Sequence, residues 1–287
     1  MIWIKTYKVF GNLIGLVWHN IQQNTNIHMR TLLFLAVFLL FPTAATAQNT
    51  RIKDPNPVGW WAGFATFKLN SKWGIHTEYQ WRREDYVQTW QQALHRVGVN
   101  YQWSPKVQLR LGYAWIETFN YGDYPINGMG KDFTEHRVFQ MATLTDKPGR
   151  LDVSHRFMLE QRWIGRYTAP ELTREDEYFF VNRLRYMFRM QCPFKGKTLE
   201  DKEFYAAAYD EIFIGFGKNV NENVFDQNRI GLLIGYRLNK KIRMEGGYFN
   251  QILQLPREIT LPGGTNGRNI FQYNTGFILN VFLNLDL

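Results

Sequence analysis

The residues of this chain that could do chemistry are mostly arginines and glutamates spaced two or four apart. Glu78 and Arg82 share one parity, as do Arg156, Glu160 and Arg162, and again Arg183, Arg185 and Arg189. In an extended strand, residues two apart project to the same face. Each set would therefore enter one compartment, joined by Arg96, Arg110, Glu211, Arg229, Arg237, Arg243 and Glu245 from other segments. Two kinds of chemistry suit such a face. One is a path or site for anionic solutes. The other is an ion-pair network that fills a narrow interior, because enclosed guanidinium groups need carboxylate and backbone partners. The expectation is the second, a largely occluded lumen with a structural or loop-mediated role; the alternative is a small, anion-leaning channel or transporter.

Hydrolytic chemistry has one local candidate, Ser154-His155 with Glu160, since a nucleophile must sit beside a base that a third group orients. Period-2 alternation turns Ser154 and His155 to opposite faces, and no Gly-x-Ser-x-Gly elbow is present. A barrel lipid hydrolase is therefore a distant third reading, and the chain is expected not to be an enzyme. His76, His95, His136 and His155 show no metal-ligand spacing, and the single cysteine, Cys192, allows neither a cysteine–histidine zinc set nor an intrachain disulfide. His76 reads as a hydrogen-bonding lumen residue and Cys192 as a small residue near a turn. Asp123, Asp132 and Glu135 lie in or beside a polar stretch that could hold a cation, although a solvated loop explains them as well. No cofactor or metal is expected.

The elements that must position these side chains are strands. Val107, Leu109, Leu111, Tyr113 and Trp115 alternate with Gln108, Arg110, Gly112 and Ala114, and Ile230, Leu232, Ile234 and Tyr236 alternate with Arg229, Gly231, Gly235 and Arg237. Eleven candidate strands follow, near 59–69, 73–84, 90–103, 107–118, 135–145, 151–163, 177–190, 203–216, 227–238, 242–253 and 270–286. Turns at Asn70-Ser71-Lys72, Ser104-Pro105-Lys106 and Asn239-Lys240-Lys241 set hairpin register. They pair Trp61 with Trp81, Tyr101 with Leu109, Trp103 with Val107, Gly98 with Gly112 and Tyr236 with Met244. A slip of one residue would mix the faces. Short connections alternate with long polar ones. Trp73 and Trp103 then mark one aromatic girdle, and Trp61, Trp81, Trp115 and Trp163 the other. The fold expected is an all-β, antiparallel transmembrane β-barrel of ten to twelve strands. An odd count is unusual there, and residues 48–58, with Pro55 and Pro57, make a poor further strand.

Residues 29–47 have the order of a secretory signal: Arg30, an apolar run from Leu32 to Phe41, then Ala45 and Ala47 before a cut at Gln48. The apolar run is about half the length that spans a bilayer as a helix. Residues 1–28 read as an over-called start before Met29, residues 48–57 as a short lead-in, and residues 58–287 as the barrel. Losing Lys5, Lys8 and Arg30 lowers the formal charge from +9 to +6. Export into a Gram-negative envelope argues against nucleic acid as a partner. Outer-membrane lipid and the barrel-assembly machinery are the partners expected, with the oligomeric state open.

Trp60-Trp61, Lys68-Leu69-Asn70-Ser71-Lys72-Trp73, Glu78 and Arg82 resemble the outer-membrane barrels of the uncharacterised DUF2490 family. Asn182-Arg183-Leu184, Asn228-Arg229-Ile230-Gly231-Leu232 and Gly235-Tyr236-Arg237-Leu238-Asn239-Lys240-Lys241 look like the same strand-and-turn pattern. The resemblance covers about residues 58–287 and implies location and architecture but no activity. The last strand alternates through Leu279, Val281, Leu283, Leu285 and Leu287, and ends in leucine where barrel-assembly signals typically carry an aromatic residue.

Overall fold

A computed structural model describes residues 51–220, 223–260 and 267–286. The proposed extension, signal segment and cleavage point between Ala47 and Gln48 lie outside the described residues. Eleven strands form: β1 (Ile52–Lys68), β2 (Trp73–Glu84), β3 (Thr89–Ser104), β4 (Val107–Thr118), β5 (Phe133–Asp146), β6 (Asp152–Arg166), β7 (Glu177–Pro193), β8 (Glu203–Phe216), β9 (Phe225–Arg237), β10 (Ile242–Thr260) and β11 (Gly267–Asp286). Each pairs with its sequence neighbour, and β1 closes the barrel against β11.

The closing pair is parallel, whereas every other pair is antiparallel. This corrects the purely antiparallel expectation. In an up-and-down chain an odd number of strands leaves the first and last running in the same direction, so the eleven candidates need neither a twelfth strand nor a merger. β1 also begins seven residues before its expected start, and Ile52–Pro57 pair with Ile270–Thr275. Residues 52–57 are thus strand and not a lead-in. Pro55 and Pro57 are tolerated because β2 ends at Glu84: the Pro57 carbonyl accepts from the Asp85 N–H at 2.9 Å, on the side away from β11. The proline nitrogens lie on that side, at and beyond the end of β2, so the pairing with β11 loses no bond.

Hairpin chemistry sets the register as the turns imply. Trp61 opposes Trp81, Gly98 opposes Gly112, Tyr101 opposes Leu109 and Tyr236 opposes Met244. The exception is Trp103: a bulge between Gln102 and Ser104 pairs Ser104 with Val107 and leaves Trp103 outside the ladder.

From Gln80, direct partners lead through Leu94, Ile116, Glu135 and Ile164 to Phe179. In the other direction they pass through Ala62, Asn280, Glu245, Gly235 and Tyr205 to Pro193 of the same strand. The arrivals at 179 and 193 differ by fourteen residues, a stagger that tilts the strands by roughly 40°.

Outward positions are apolar over a level band. Ile75, Tyr79, Leu111, Tyr113, Ile230, Leu232 and Ile234 all face out and are exposed. From Trp73 to Trp81, or Val107 to Trp115, the band rises about 20 Å at ~3.3 Å per residue and this tilt. Above it the outward positions turn polar, at Arg83, Glu117, His136, Gln161, Asn182 and Asn228.

Candidate functional site

The interior is built from the inward parity of these strands, and it encloses a cavity of about 1570 Å³. Its lining runs from Lys106 and Asp146 at the short turns to Asn127, Met129 and Tyr167 at the long loops. Apart from Arg237, every arginine and glutamate expected to point inward does so, but they do not all join one network.

The densest part follows the arc from β5 to β10. Glu160 is fully buried and accepts from Arg183 Nη2 at 2.7 Å and Arg185 Nη1 at 2.8 Å, with Arg137 Nη1 at 3.7 Å. Glu135 holds Arg137 and Arg162, each through Nε at 2.5 Å. Asp226 links Arg162 at 3.1 Å to Arg183 at 3.0 Å, and Glu211 links Arg156 to Arg185, each at 2.8 Å. Glu245 accepts from Arg189 at 2.7 Å and from the Tyr205 hydroxyl at 3.0 Å. On the other side of the barrel, Glu78 accepts from Arg96 at 2.6 Å and lies 3.5 Å from His76 Nε2. Most of these bridges join neighbouring strands, and those from Arg156 to Glu211, from Arg162 and Arg183 to Asp226 and from Arg189 to Glu245 skip one or two strands along the wall. Sequence parity suggests ties across the lumen; the ion pairs instead hug one arc and leave the cavity beside them.

Four inward arginines, Arg82, Arg110, Arg229 and Arg243, have no carboxylate partner among the described residues. Arg82 donates to the amide oxygens of Gln80 and Gln92, Arg110 to Asn100 at 2.5 Å, and Arg229 to Gln227 at 3.0 Å. Aromatic faces supply the rest. The Arg82 guanidinium lies 3.9 Å and that of Arg229 4.9 Å from the Trp60 ring centre, and Arg229 and Arg185 lie 4.6 and 4.4 Å from that of Phe213. The Arg243 guanidinium sits over Phe282 at 4.4 Å. Such stacking is attractive without neutralising the cation. Trp60 is fixed by its Nε1, which donates to Gln91 at 2.6 Å, and by Phe249.

Several positions differ from expectation. Arg237 turns to the β7–β8 connection, where it meets Asp201 at 3.1 Å and the Leu199 carbonyl at 2.7 Å. Glu135 belongs to β5 and the ion-pair arc, not to a cation-binding loop. Asp132 instead accepts from the Asn120 N–H, and the Asp123 N–H donates to Asp54. No cluster of three acidic, histidine or cysteine residues forms among the described residues. Sequence reading also misses Arg137 and Asp226. Arg137 shares the parity of Phe139 near the start of β5, whereas Asp226 has the opposite parity to Arg229 and turns inward beside Gln227 at the bulge between Phe213 and Ile214, which alternation does not reveal.

Ser154 lines the cavity, while His155 faces outward and shares a 2.8 Å hydrogen bond with the Tyr186 hydroxyl. Glu160 is committed to arginines, so no triad forms. Trp61, Trp73, Trp81, Trp103, Trp115 and Trp163 all face outward. Trp73 and Trp103 lie at the short-turn end, and Trp81, Trp115 and Trp163 near the upper margin of the apolar band, with Trp61 packed on Trp81.

One loop enters the barrel. Residues 119–132 fold against the inner face of the β1–β11 seam, where the Tyr121 hydroxyl donates to Gln272 at 2.7 Å. The buried Asp54 carboxylate accepts from the N–H groups of Asp123 and Tyr124, both at 3.3 Å, and from Gln272 at 3.2 Å.

A sequence profile described as a protein of unknown function, DUF2490, matches residues 58–260. The chain belongs to the DUF2490 family. In this DUF2490 member the matched segment ends at the top of β10, so β11 and the start of β1 lie beyond it. No curated protein matches the chain. Among solved structures, a NanC porin in a rhombohedral crystal form is similar at 11% identity and a TM-score of 0.39, over 77% of this chain and 96% of that one.

Proposed function

We propose that this DUF2490 barrel sits in the outer membrane and admits small anions to an arginine-lined interior. The observation that carries the reading is the set of four lumen arginines without carboxylate partners beside a 1570 Å³ cavity. An enclosed surplus of positive charge raises the local concentration of anions and opposes cations. Membrane placement rests on the exposed apolar band, whose height suits an outer-membrane barrel, and on the export signal read from residues 29–47. The reading gives the barrel no catalytic step, because Ser154 and His155 stand on opposite sides of the wall.

The second reading is an occluded barrel that acts through its loops. It is favoured by the inward-folded segment 119–132 and by the Arg82–Trp60–Arg229 stack inside the lumen. Reconstitution in a planar bilayer under a potassium chloride gradient separates the two. A steady conductance with a reversal potential on the chloride side is expected. A silent barrel would leave the occluded reading standing, and a cation-selective one would overturn the assignment of charge.

A further inference from the structure

A carboxylate stands on the apolar outer face. Asp210 of β8 shares the outward parity of Ala208, Ile212 and Ile214, and it is exposed. Its direct partners on the neighbouring strands are Phe188 and Ile230. Apolar side chains therefore border it on all four sides. Elsewhere on this face polar side chains satisfy one another, as Gln140 does with Gln161 and Asn250 with Thr275. Asp210 accepts from Asn228 Nδ2 at 2.5 Å, and its carboxylate has no other partner among the described residues. A carboxylate turned to hydrocarbon is costly, and such residues mark a contact or a function.

A matching donor lies beside it. Tyr186 of β7 faces out one diagonal step away, because Tyr186 pairs with Ile212 and Phe188 with Asp210. His155 Nδ1 lies 2.8 Å from the Tyr186 hydroxyl and fixes it, as Asn228 fixes Asp210. An imidazole that carries its proton on Nδ1 donates to the phenol oxygen and leaves the phenol hydrogen for an acceptor elsewhere. Strand tilt sets the levels. At ~40° the diagonal from Tyr186 to Asp210 joins positions within about 2 Å of one height, and the diagonal from Phe188 to Ile212 runs nearly along the barrel axis. We propose that this patch is the contact between two copies of this chain in the membrane, about a two-fold axis along the membrane normal that passes by Phe188 and Ile212. Such an axis preserves height, and it brings residue i to j and j to i. Each Tyr186 hydroxyl then donates to the other copy's Asp210. The patch is complementary to itself, which favours a second copy over a foreign partner. The inference goes beyond the anion reading and shares with it only the membrane placement.

The test is disulfide cross-linking of the full chain in outer membranes, in a Cys192→Ala background that removes its single thiol. Ile212→Cys stands on the axis, so mild oxidation should link it to its own copy as a product of twice the chain's mass. Leu111→Cys is exposed on β4, away from the patch, and should stay single. Adding Asp210→Leu or Tyr186→Phe to the Ile212→Cys chain should lower the yield of linked dimer about tenfold, since each removes both reciprocal bonds. Asp210→Leu should insert at least as well as the parent, read as the mobility of the unheated barrel on a gel, which separates loss of contact from loss of fold. The dimer is overturned by an unlinked Ile212→Cys chain, by equal linking of Leu111→Cys, or by a product of any other mass. Unchanged linking in a folded Asp210→Leu variant would overturn it as well. The two proposals fail separately: linked but silent barrels remove only the anion reading, and an anion-selective barrel that does not link removes only the dimer.

Discussion

Leu232 and Leu233 are adjacent and chemically identical, yet the barrel gives them opposite surroundings. Leu232 is 55% exposed on the apolar band, and Leu233 is 3% exposed among Trp60, Tyr205 and Phe249. The alternation of Ile230, Leu232 and Ile234 against Arg229 and Gly231 discloses this difference at the sequence level. It does not disclose that part of the inner face is an apolar cluster. Leu233 is therefore no neutral lumen position, and a cavity-lining polar residue such as Thr143 makes the fairer comparison. An arginine at a lipid-facing site near the midplane costs about 2–4 kcal/mol. We expect Leu232→Arg to lower the folded fraction in a urea-driven insertion assay by that amount. Thr143→Arg should lower it less, because the new cation meets a wet cavity. Equal losses would mean that the two faces have been exchanged.

At the scale of elements, the hairpins are the most legible part and the seam the least. Turn composition at residues 70–72, 104–106 and 239–241 dictates three registers that the barrel adopts, apart from the bulge at Trp103. The seam is hidden for a physical reason. Local pattern reports pairing between sequence neighbours, whereas β1 meets β11 more than two hundred residues away. Pro55 and Pro57 disguise the first six residues of β1 further. The ion-pair arc is intermediate: parity locates the arginines, but which of them find carboxylates depends on the stagger around the barrel. Asp54 ties the hidden strand to the inward loop, because its carboxylate accepts from the backbone of Asp123 and Tyr124 and from Gln272. Asp54→Ala leaves those buried donors without an acceptor, at about 1–3 kcal/mol each before water replaces it. Limited proteolysis should then cut within 119–132 while the barrel stays folded on a gel. A loop as resistant as in the unmodified chain would show that the apolar contacts of Tyr124 and Ile126 hold it alone.

At the scale of the whole molecule, the odd strand count fixes which side each end of the barrel faces. β1 starts beside the long connections, next to the end of β2 at Glu84 and the loop 119–132. β11 ends beside the short turn of residues 239–241, where the Asn284 N–H donates to the Lys241 carbonyl at 2.8 Å. Barrels of this kind place short turns in the periplasm and long loops outside. An even-stranded barrel would leave both ends on one side; eleven strands place them at opposite ends of the barrel. Closure is then a parallel pairing whose bonds are slanted and slightly weaker than antiparallel ones, and the segment 119–132 staples it from within. Site-specific labelling tests the arrangement in a Cys192→Ala background, which removes the chain's single thiol. Arg51→Cys should react with a membrane-impermeant maleimide on intact cells, and Lys240→Cys only after the outer membrane is permeabilised. Reaction of both positions on intact cells, or of neither, would mean that both ends lie on one side, which an eleven-strand barrel closed in parallel does not allow.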